Sequence, residues 1–241
     1  MNDLQVDLKG KSFPGVGQAP AHHALAPIRF SVERGQFVCV TGPSGCGKTT
    51  LLNVLAGLDR DYNGDIHLPR RPGHKQPVIG YVFQTPRLLP WRTVEQNLTL
   101  VKGHSSDLAD IDELLKLTGL SDFRHTYPQR LSTGMQRRAA LARAFVVKPD
   151  LLLMDEPFVS LDETNATRLR LLLLDIWHRY ATTVIFVTHD LREAVQLGQR
   201  IIRLSAAPGR IDLDLPISLS EDERANAQTI ERWRNRILES G

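Results

Sequence analysis

The chain has 241 residues, of which 41% are hydrophobic and 24% charged, with a formal net charge of +3. Those fractions are ordinary for a globular protein with a sizeable core, and no apolar stretch reaches the roughly 20 residues that a membrane-spanning helix requires. The start, Met1-Asn2-Asp3-Leu4, has no basic segment followed by an apolar one, so no secretory signal is expected, and two cysteines exclude a disulfide framework. The basic excess is dispersed, with arginine pairs at 70 and 71 and at 137 and 138 but no run of five, so nucleic acid is not an expected partner.

In chain order, the proline- and glycine-rich stretch 14–20 reads as a loop, and Ile28 to Val32 and Phe37 to Thr41 read as strands. Gly42-Pro43-Ser44-Gly45-Cys46-Gly47-Lys48-Thr49 follows the second strand directly and completes a GxxxxGK[ST] pattern. A strand, a glycine-rich loop and a helix starting at the lysine turn backbone N–H groups inward around phosphate oxygens, and the helix end adds partial positive charge. Lys48 then reaches β and γ phosphates and the Thr49 hydroxyl ligates Mg²⁺. Leu51, Leu52, Val54 and Leu55 supply the apolar face of that helix, and Cys39 and Cys46 read as small packing residues.

Further strands are expected at Asp65 to Leu68, Val78 to Phe83, Leu151 to Asp155, Val184 to Thr188 and Ile201 to Leu204, with a loop at 69–77. Several are continuously apolar, as burial on both faces of a parallel sheet demands. Between Thr93 and Val147 the strand signal vanishes, and helices are expected at Val94 to Val101, Leu108 to Thr118 and Thr133 to Val147, forming a helical subdomain. Leu169, Leu171, Leu172, Leu173, Leu174, Ile176 and Trp177 predict a core helix that is apolar on most sides. Near the end, Ser220 and Glu223 predict a capping box, and Ile230, Trp233 and Ile237 a docked tail helix.

Two further strand ends carry chemistry. Asp155 closes an apolar strand and is placed to hold Mg²⁺, while Glu156, one residue on, can polarise an attacking water. His189 follows the strand 184–187 and can hydrogen-bond a γ phosphate, which would distinguish ATP from ADP.

Taken in order, these motifs resemble the ATPase subunit of ABC transporters, and the resemblance spans essentially the whole chain. Gln84 in Tyr81-Val82-Phe83-Gln84 matches the family's Q-loop, Leu131-Ser132-Thr133-Gly134-Met135-Gln136-Arg137-Arg138 its signature, Ser160-Leu161-Asp162 its D-loop and His189 its switch histidine. Phe13 stands where the family places an aromatic ring that stacks on adenine. The resemblance implies an α/β fold: a P-loop NTPase core with a mainly parallel sheet, an inserted helical subdomain and a smaller antiparallel β region near the N-terminus. It implies one ATPase domain over 1–241, with a core lobe about 1–91 and 148–215, a helical subdomain about 92–147 and a helical tail about 220–240.

It further implies ATP and Mg²⁺ as cofactors, Glu156, His189 and Gln84 as catalytic groups, and Thr49, Gln84 and Asp155 as Mg²⁺ ligands. Nucleotide contacts extend through Thr50 and Asp162. Partners would be a second copy of the chain or a homologous ATPase subunit, whose Ser132 and Gly134 close over the γ phosphate in a head-to-tail dimer, an integral membrane permease and a substrate-binding protein. The protein would lie peripherally on the cytoplasmic face of the inner membrane. Thr133 departs from the glycine usual in the signature, and would strain the loop if that position needs positive φ.

Thr85-Pro86-Arg87-Leu88-Leu89-Pro90-Trp91, the Gly134-Met135 pair and Ala207-Pro208-Gly209-Arg210-Ile211 are similar to importer ATPases of the nitrate, sulfonate and taurine group. Trp91 would then line a groove for the permease. The same motifs also serve exporters and lipid or lipoprotein extraction systems, the alternative reading. A translation-factor role would call for two such heads or a long coiled-coil insertion, and a kinase or GTPase would leave the signature and His189 unexplained.

Overall fold

The computed structural model describes residues 3–15, 17, 20–102 and 109–240, which form two compact units, 3–69 with 183–240, and 70–182. The first unit opens with an antiparallel sheet. Strand β1 (Leu4–Phe13) lies between β3 (Ile28–Val32) and β5 (Asn63–His67), and from Lys11 on, across a register shift at Lys11/Ser12, it pairs with β2 (His22–Leu25). Leu4, Val6 and Leu8 alternate with polar residues, so one face of β1 is buried. Neither β1 nor β2 has a continuous apolar run, so neither stands out in the sequence as a strand.

The other strands of this unit have the order β10, β9, β4, β8, with β9, β4 and β8 parallel, where β4 is Phe37–Thr41, β8 Thr183–Val187, β9 Arg200–Leu204 and β10 Ile211–Pro216. Strands β4 and β8 are buried at every position, as their unbroken apolar sequences require. The edge strand β10 runs antiparallel with half its positions exposed, and its Ile-Asp-Leu-Asp-Leu alternation escapes a run-based reading. Helix α1 (Lys48–Leu55) packs on β2 and β8, with Leu51, Leu52, Val54 and Leu55 buried.

In the second unit β6 (Ile79–Val82) pairs in parallel with β7 (Leu151–Asp155). From Val94 to Phe145 the described residues are helical or irregular: α2 (Val94–Thr99) continues into a 3₁₀ turn, α3 is Ile111–Leu117 and α4 is Thr133–Phe145. The expected start of α3 at Leu108 lies outside the described residues. Helix α4 is alanine-rich on its buried face, and its backbone comes so close to β6 that a Cβ at Gly80 would stand 2.9 Å from the Ala144 carbonyl. Helix α5 (Glu163–Tyr180) corrects one expectation. Ala166, Leu169, Leu173, Ile176 and Trp177 are buried, but Leu171 is 64% exposed, so the helix is amphipathic and not apolar on most sides.

The chain closes in the first unit with α6 (Leu191–Leu197), α7 (Glu221–Ala225) and α8 (Ala227–Glu239). The expected capping box is present, with Ser220 and Glu223 exchanging side-chain and backbone bonds at the start of α7. Helix α8 packs on α6 with Ile230 and Ile237 buried, and Arg192 of α6 pairs with Glu231 of α8. Among the described residues no helix is long and apolar enough to cross a membrane.

Candidate active site

The first unit supplies the glycine-rich loop. After β4 the chain turns through Gly42 and Gly45, and Gly47 caps α1 in a left-handed conformation with φ +98°. A Cβ on Gly47 would stand 2.5 Å from Leu25 Cδ2 and 2.8 Å from the Ala24 carbonyl, so glycine is required there on two counts. Pro43, Ser44 and Gly45 are exposed, whereas Lys48 is buried and its Nζ donates to the carbonyls of Gly42 at 2.7 Å and Pro43 at 3.0 Å. Thr49 and Thr50 sit in the first turn of α1, with Thr49 exposed. The wall behind the loop comes from far along the chain. Gly209 bonds through its backbone to Ala24 and Ala26, and a Cβ on it would lie 2.0 Å from the Cys46 carbonyl.

His189 stands at the same edge. Val40 pairs with Val187, so Gly42 and His189 each lie two residues past that pair, and the Thr188 N–H donates to the Val40 carbonyl at 3.2 Å. The Thr188 hydroxyl donates to Glu193 at 2.6 Å and accepts from the Asp190 N–H, while Asp190 caps α6; His189 is thus an exposed residue on a braced turn. Phe13 ends β1, 38% exposed, with the Lys11 ammonium 4.6 Å from its ring centroid. Lys11 is itself buried and held by Asp59 and Asp61, an ion cluster that no sequence pattern announced. Burial acts to lower its pKa, but hydrogen bonds and charge from the two aspartates prevail and hold it above the ordinary lysine value. A cavity of about 380 Å³ between Lys11, Ser12, His23 and Tyr62 contains none of the expected site residues.

In the second unit the register repeats the arrangement. Val82 pairs with Met154, so Gln84 and Glu156 each lie two residues past the pair, at one edge. Asp155 is buried as the last residue of β7, and Glu156 adopts φ +43°, a left-handed backbone uncommon for a side chain of its size. Ser132 caps α4 by accepting from the Met135 N–H, and Gly134 lies in the first turn. Asp162 caps α5, and hydrogen bonds from the Asn165 backbone N–H and side-chain amide hold its carboxyl below the usual carboxylate range. Thr133 is the first residue of α4, exposed and without positive φ, so the strain foreseen for a β-branched residue does not arise. Trp91 is 67% exposed.

One residue in this unit has a role that the sequence reading missed. Arg137 is 8% exposed, and its guanidinium donates to the carbonyls of Gln84, Pro157 and Val159. Burial pushes its pKa down from the ordinary arginine value.

The sequence profile of the family described as ABC transporter matches residues 25–159, more than half of the chain. This chain belongs to the ABC transporter family. The aliphatic sulfonates import ATP-binding protein SsuB of Bacillus anthracis is 41% identical over 223 residues, covering 89% of this chain and 87% of that protein. Its Bacillus subtilis counterpart is 39% identical over 98% of this chain and 92% of its own length, and SsuB 2 of Burkholderia lata is 41% identical over 90% and 80%. Among solved structures, a dimeric bacterial ABC transporter cassette superimposes with a TM-score of 0.75 at 27% identity, covering 90% of this chain and all of the other. The same cassette in a post-hydrolysis state with ADP and phosphate gives 0.74.

The likeness confirms the expected fold class, an ABC ATPase with mainly parallel strands and an antiparallel β region. The glycine cradle suits this ABC ATPase to a nucleotide's phosphates, since a Cβ at Gly42 or Gly47 would collide with its surroundings while the outward rim of the loop stays open. The candidate metal donors, a threonine hydroxyl, an aspartate and a glutamine amide, are hard oxygen groups of the kind that Mg²⁺ prefers.

Proposed function

We propose that this chain is the ATP-hydrolysing subunit of an importer for small organic anions of the aliphatic sulfonate class. The observation that carries the substrate class is the identity near 40%, over almost the full chain, with proteins named as aliphatic sulfonate import ATP-binding proteins. The backbone donors of residues 42 to 50 and the Lys48 ammonium bind the phosphates, and Phe13 offers a face for the adenine. Thr49, Gln84 and Asp155 are the oxygen donors assigned to Mg²⁺, which when bound neutralises phosphate charge. Glu156 accepts a proton from the water that attacks the γ phosphorus, the bond from that phosphorus to the bridging oxygen of ADP breaks, and His189 donates a hydrogen bond to the γ-phosphate oxygens.

Ser132 and Gly134, at the start of α4, present a hydroxyl and N–H groups that would complete the phosphate shell of a second copy, with Asp162 beside that junction. ATP then acts as the adhesive of a head-to-tail dimer, and its hydrolysis releases the two copies, a ligand-driven population shift that a membrane permease converts into transport. A substrate-binding protein delivers the anion on the far side, and the chain works peripherally at the cytoplasmic face.

The test is reconstitution with the permease in vesicles. Sulfonates presented with the binding protein should stimulate ATP turnover and Glu156→Gln should suppress it while ATP still binds. Stimulation by lipid or lipoprotein in place of sulfonate would establish the exporter or extraction reading, and full turnover by Glu156→Gln would remove Glu156 as the base.

A further inference from the structure

Arg137 is a buried cation held, among the described residues, by backbone carbonyls. Its Nη1 donates to the Gln84 carbonyl at 3.1 Å and to the Pro157 carbonyl, and its Nη2 to the Val159 carbonyl at 2.6 Å. Nε is buried without a hydrogen-bond partner, and no carboxylate among the described residues forms an ion pair with the guanidinium. Burying a charge against dipoles only is costly compared with an apolar side chain of similar volume at the same place. The face it occupies is otherwise apolar: Arg137, Ala140, Leu141 and Ala144 fall at i, i+3, i+4 and i+7 of α4 and all are buried. Leucine or methionine would satisfy that face, so core packing alone does not call for arginine.

The three carbonyls belong to two segments of chemical interest. Gln84 follows β6. Pro157 and Val159 belong to the turn that begins at Glu156, closed by the Val159 N–H donating to the Glu156 carbonyl at 3.2 Å. Glu156 enters that turn at φ +43° and Ser160 leaves it at φ +62°, so two left-handed residues bracket the carbonyls that Arg137 grips. A strained backbone persists only where its surroundings over-determine it. Arg137 also lies one turn along α4 from Gly134, and so joins the start of the signature helix to both segments.

We propose that Arg137 is a positioning residue for ATP hydrolysis, fixing the Glu156 turn and the Gln84 backbone to the signature helix as one rigid body. It touches no substrate. Its planar fork meets three acceptors at once, a task that a lysine ammonium, with one nitrogen, performs only in part. Movement of Gln84 would thereby be passed to the turn that carries Glu156, and to Ser132 and Gly134, without loss in an elastic loop. The inference rests on the reading of Glu156 and Gln84 as catalytic groups.

The experiment uses the full chain assembled with its permease, comparing wild type, Arg137→Met, Arg137→Lys and Glu156→Gln for kcat and KM of ATP, nucleotide affinity and melting temperature. Misplacing a catalytic group by about 1 Å costs on the order of 100-fold, so Arg137→Met should lower kcat by about 10- to 100-fold while KM and affinity for ATP stay within about threefold. Arg137→Lys should recover part of that kcat, and it carries the test if Arg137→Met fails to fold. A folded variant with kcat within about twofold of wild type overturns the proposal, as does a kcat loss that only tracks a falling melting temperature and that lysine does not relieve. If Glu156→Gln turns over at the full rate, the catalytic reading fails and the proposal with it. A slow Glu156→Gln beside a normal Arg137→Met overturns the positioning role alone.

Discussion

Replacing Asp150 by alanine should destabilise the second unit by about 3–5 kcal/mol, the cost of removing one partner from a buried charge pair. Asp150 lies immediately before β7, with its side chain 2% exposed. Its Oδ1 accepts from the Arg71 N–H at 3.0 Å and from Arg71 Nε at 2.9 Å, and its Oδ2 accepts from the Val78 N–H at 2.8 Å. A hydrogen bond to a charged group is worth about 1.5–3 kcal/mol, so three intact bonds set an upper range near 4.5–9 kcal/mol. The loop 71–78 can relax and admit water once the carboxylate is gone, which brings the expected loss back to the lower range. For a chain of this size each kcal/mol moves the melting temperature by about 2–4 °C, so a fall of roughly 6–20 °C is expected. Asparagine should rescue little, because its amide nitrogen must face N–H donors on one side. The assay is scanning calorimetry with urea unfolding as a check, beside ATP-analogue binding, which should be retained because the glycine-rich loop belongs to the first unit. A loss below about 1 kcal/mol for Asp150→Ala would refute the clamp as a structural determinant.

Gly47→Ala should weaken nucleotide binding more than about tenfold in a fluorescence titration, since positive φ strain of about 1–2 kcal/mol adds to overpacking of about 1–3 kcal/mol against Leu25; unchanged affinity would show that the loop yields freely. Cys39 and Cys46 are both free and buried, and burial raises both thiols above the ordinary range, so the thiolate fraction at pH 8 falls below that of an exposed cysteine. Ellman's reagent should therefore find neither thiol in the native protein and both in guanidinium, and rapid native labelling of Cys46 would contradict that burial. Thr133→Gly should leave ATP turnover within about twofold of wild type, or raise it, because Thr133 already has helical backbone at an exposed first position; a large loss would reveal a contact made by its hydroxyl or methyl.

How much was legible in the sequence depends on the kind of signal. Strands buried on both faces announce themselves by unbroken apolar runs, and β4 and β7 lie where Phe37 to Thr41 and Leu151 to Asp155 predict them. Helix starts with a side-chain cap are equally plain at Ser132 and Ser220. What escaped was information carried by alternation or by distance along the chain. Strand β1 reads as Leu-Gln-Val-Asp-Leu and then shifts register, so half of its residues look like loop. Lys11 looks like any surface lysine until Asp59 and Asp61, about fifty positions away, fold against it. Arg137 was detectable in principle, since it keeps helical phase with Ala140, Leu141 and Ala144, yet beside Arg138 it reads as one more basic residue of the signature.

The close approach of Gly209 to the Cys46 carbonyl bears on how far this ATPase can be shortened. The motif residues named for nucleotide chemistry end at His189, and the family profile ends at 159. A truncated cassette ending near residue 205 would keep every one of those side chains and lose the hairpin that backs the phosphate loop. Engineers trimming the protein to its motifs would thus obtain a complete inventory of catalytic groups around a loop with no floor.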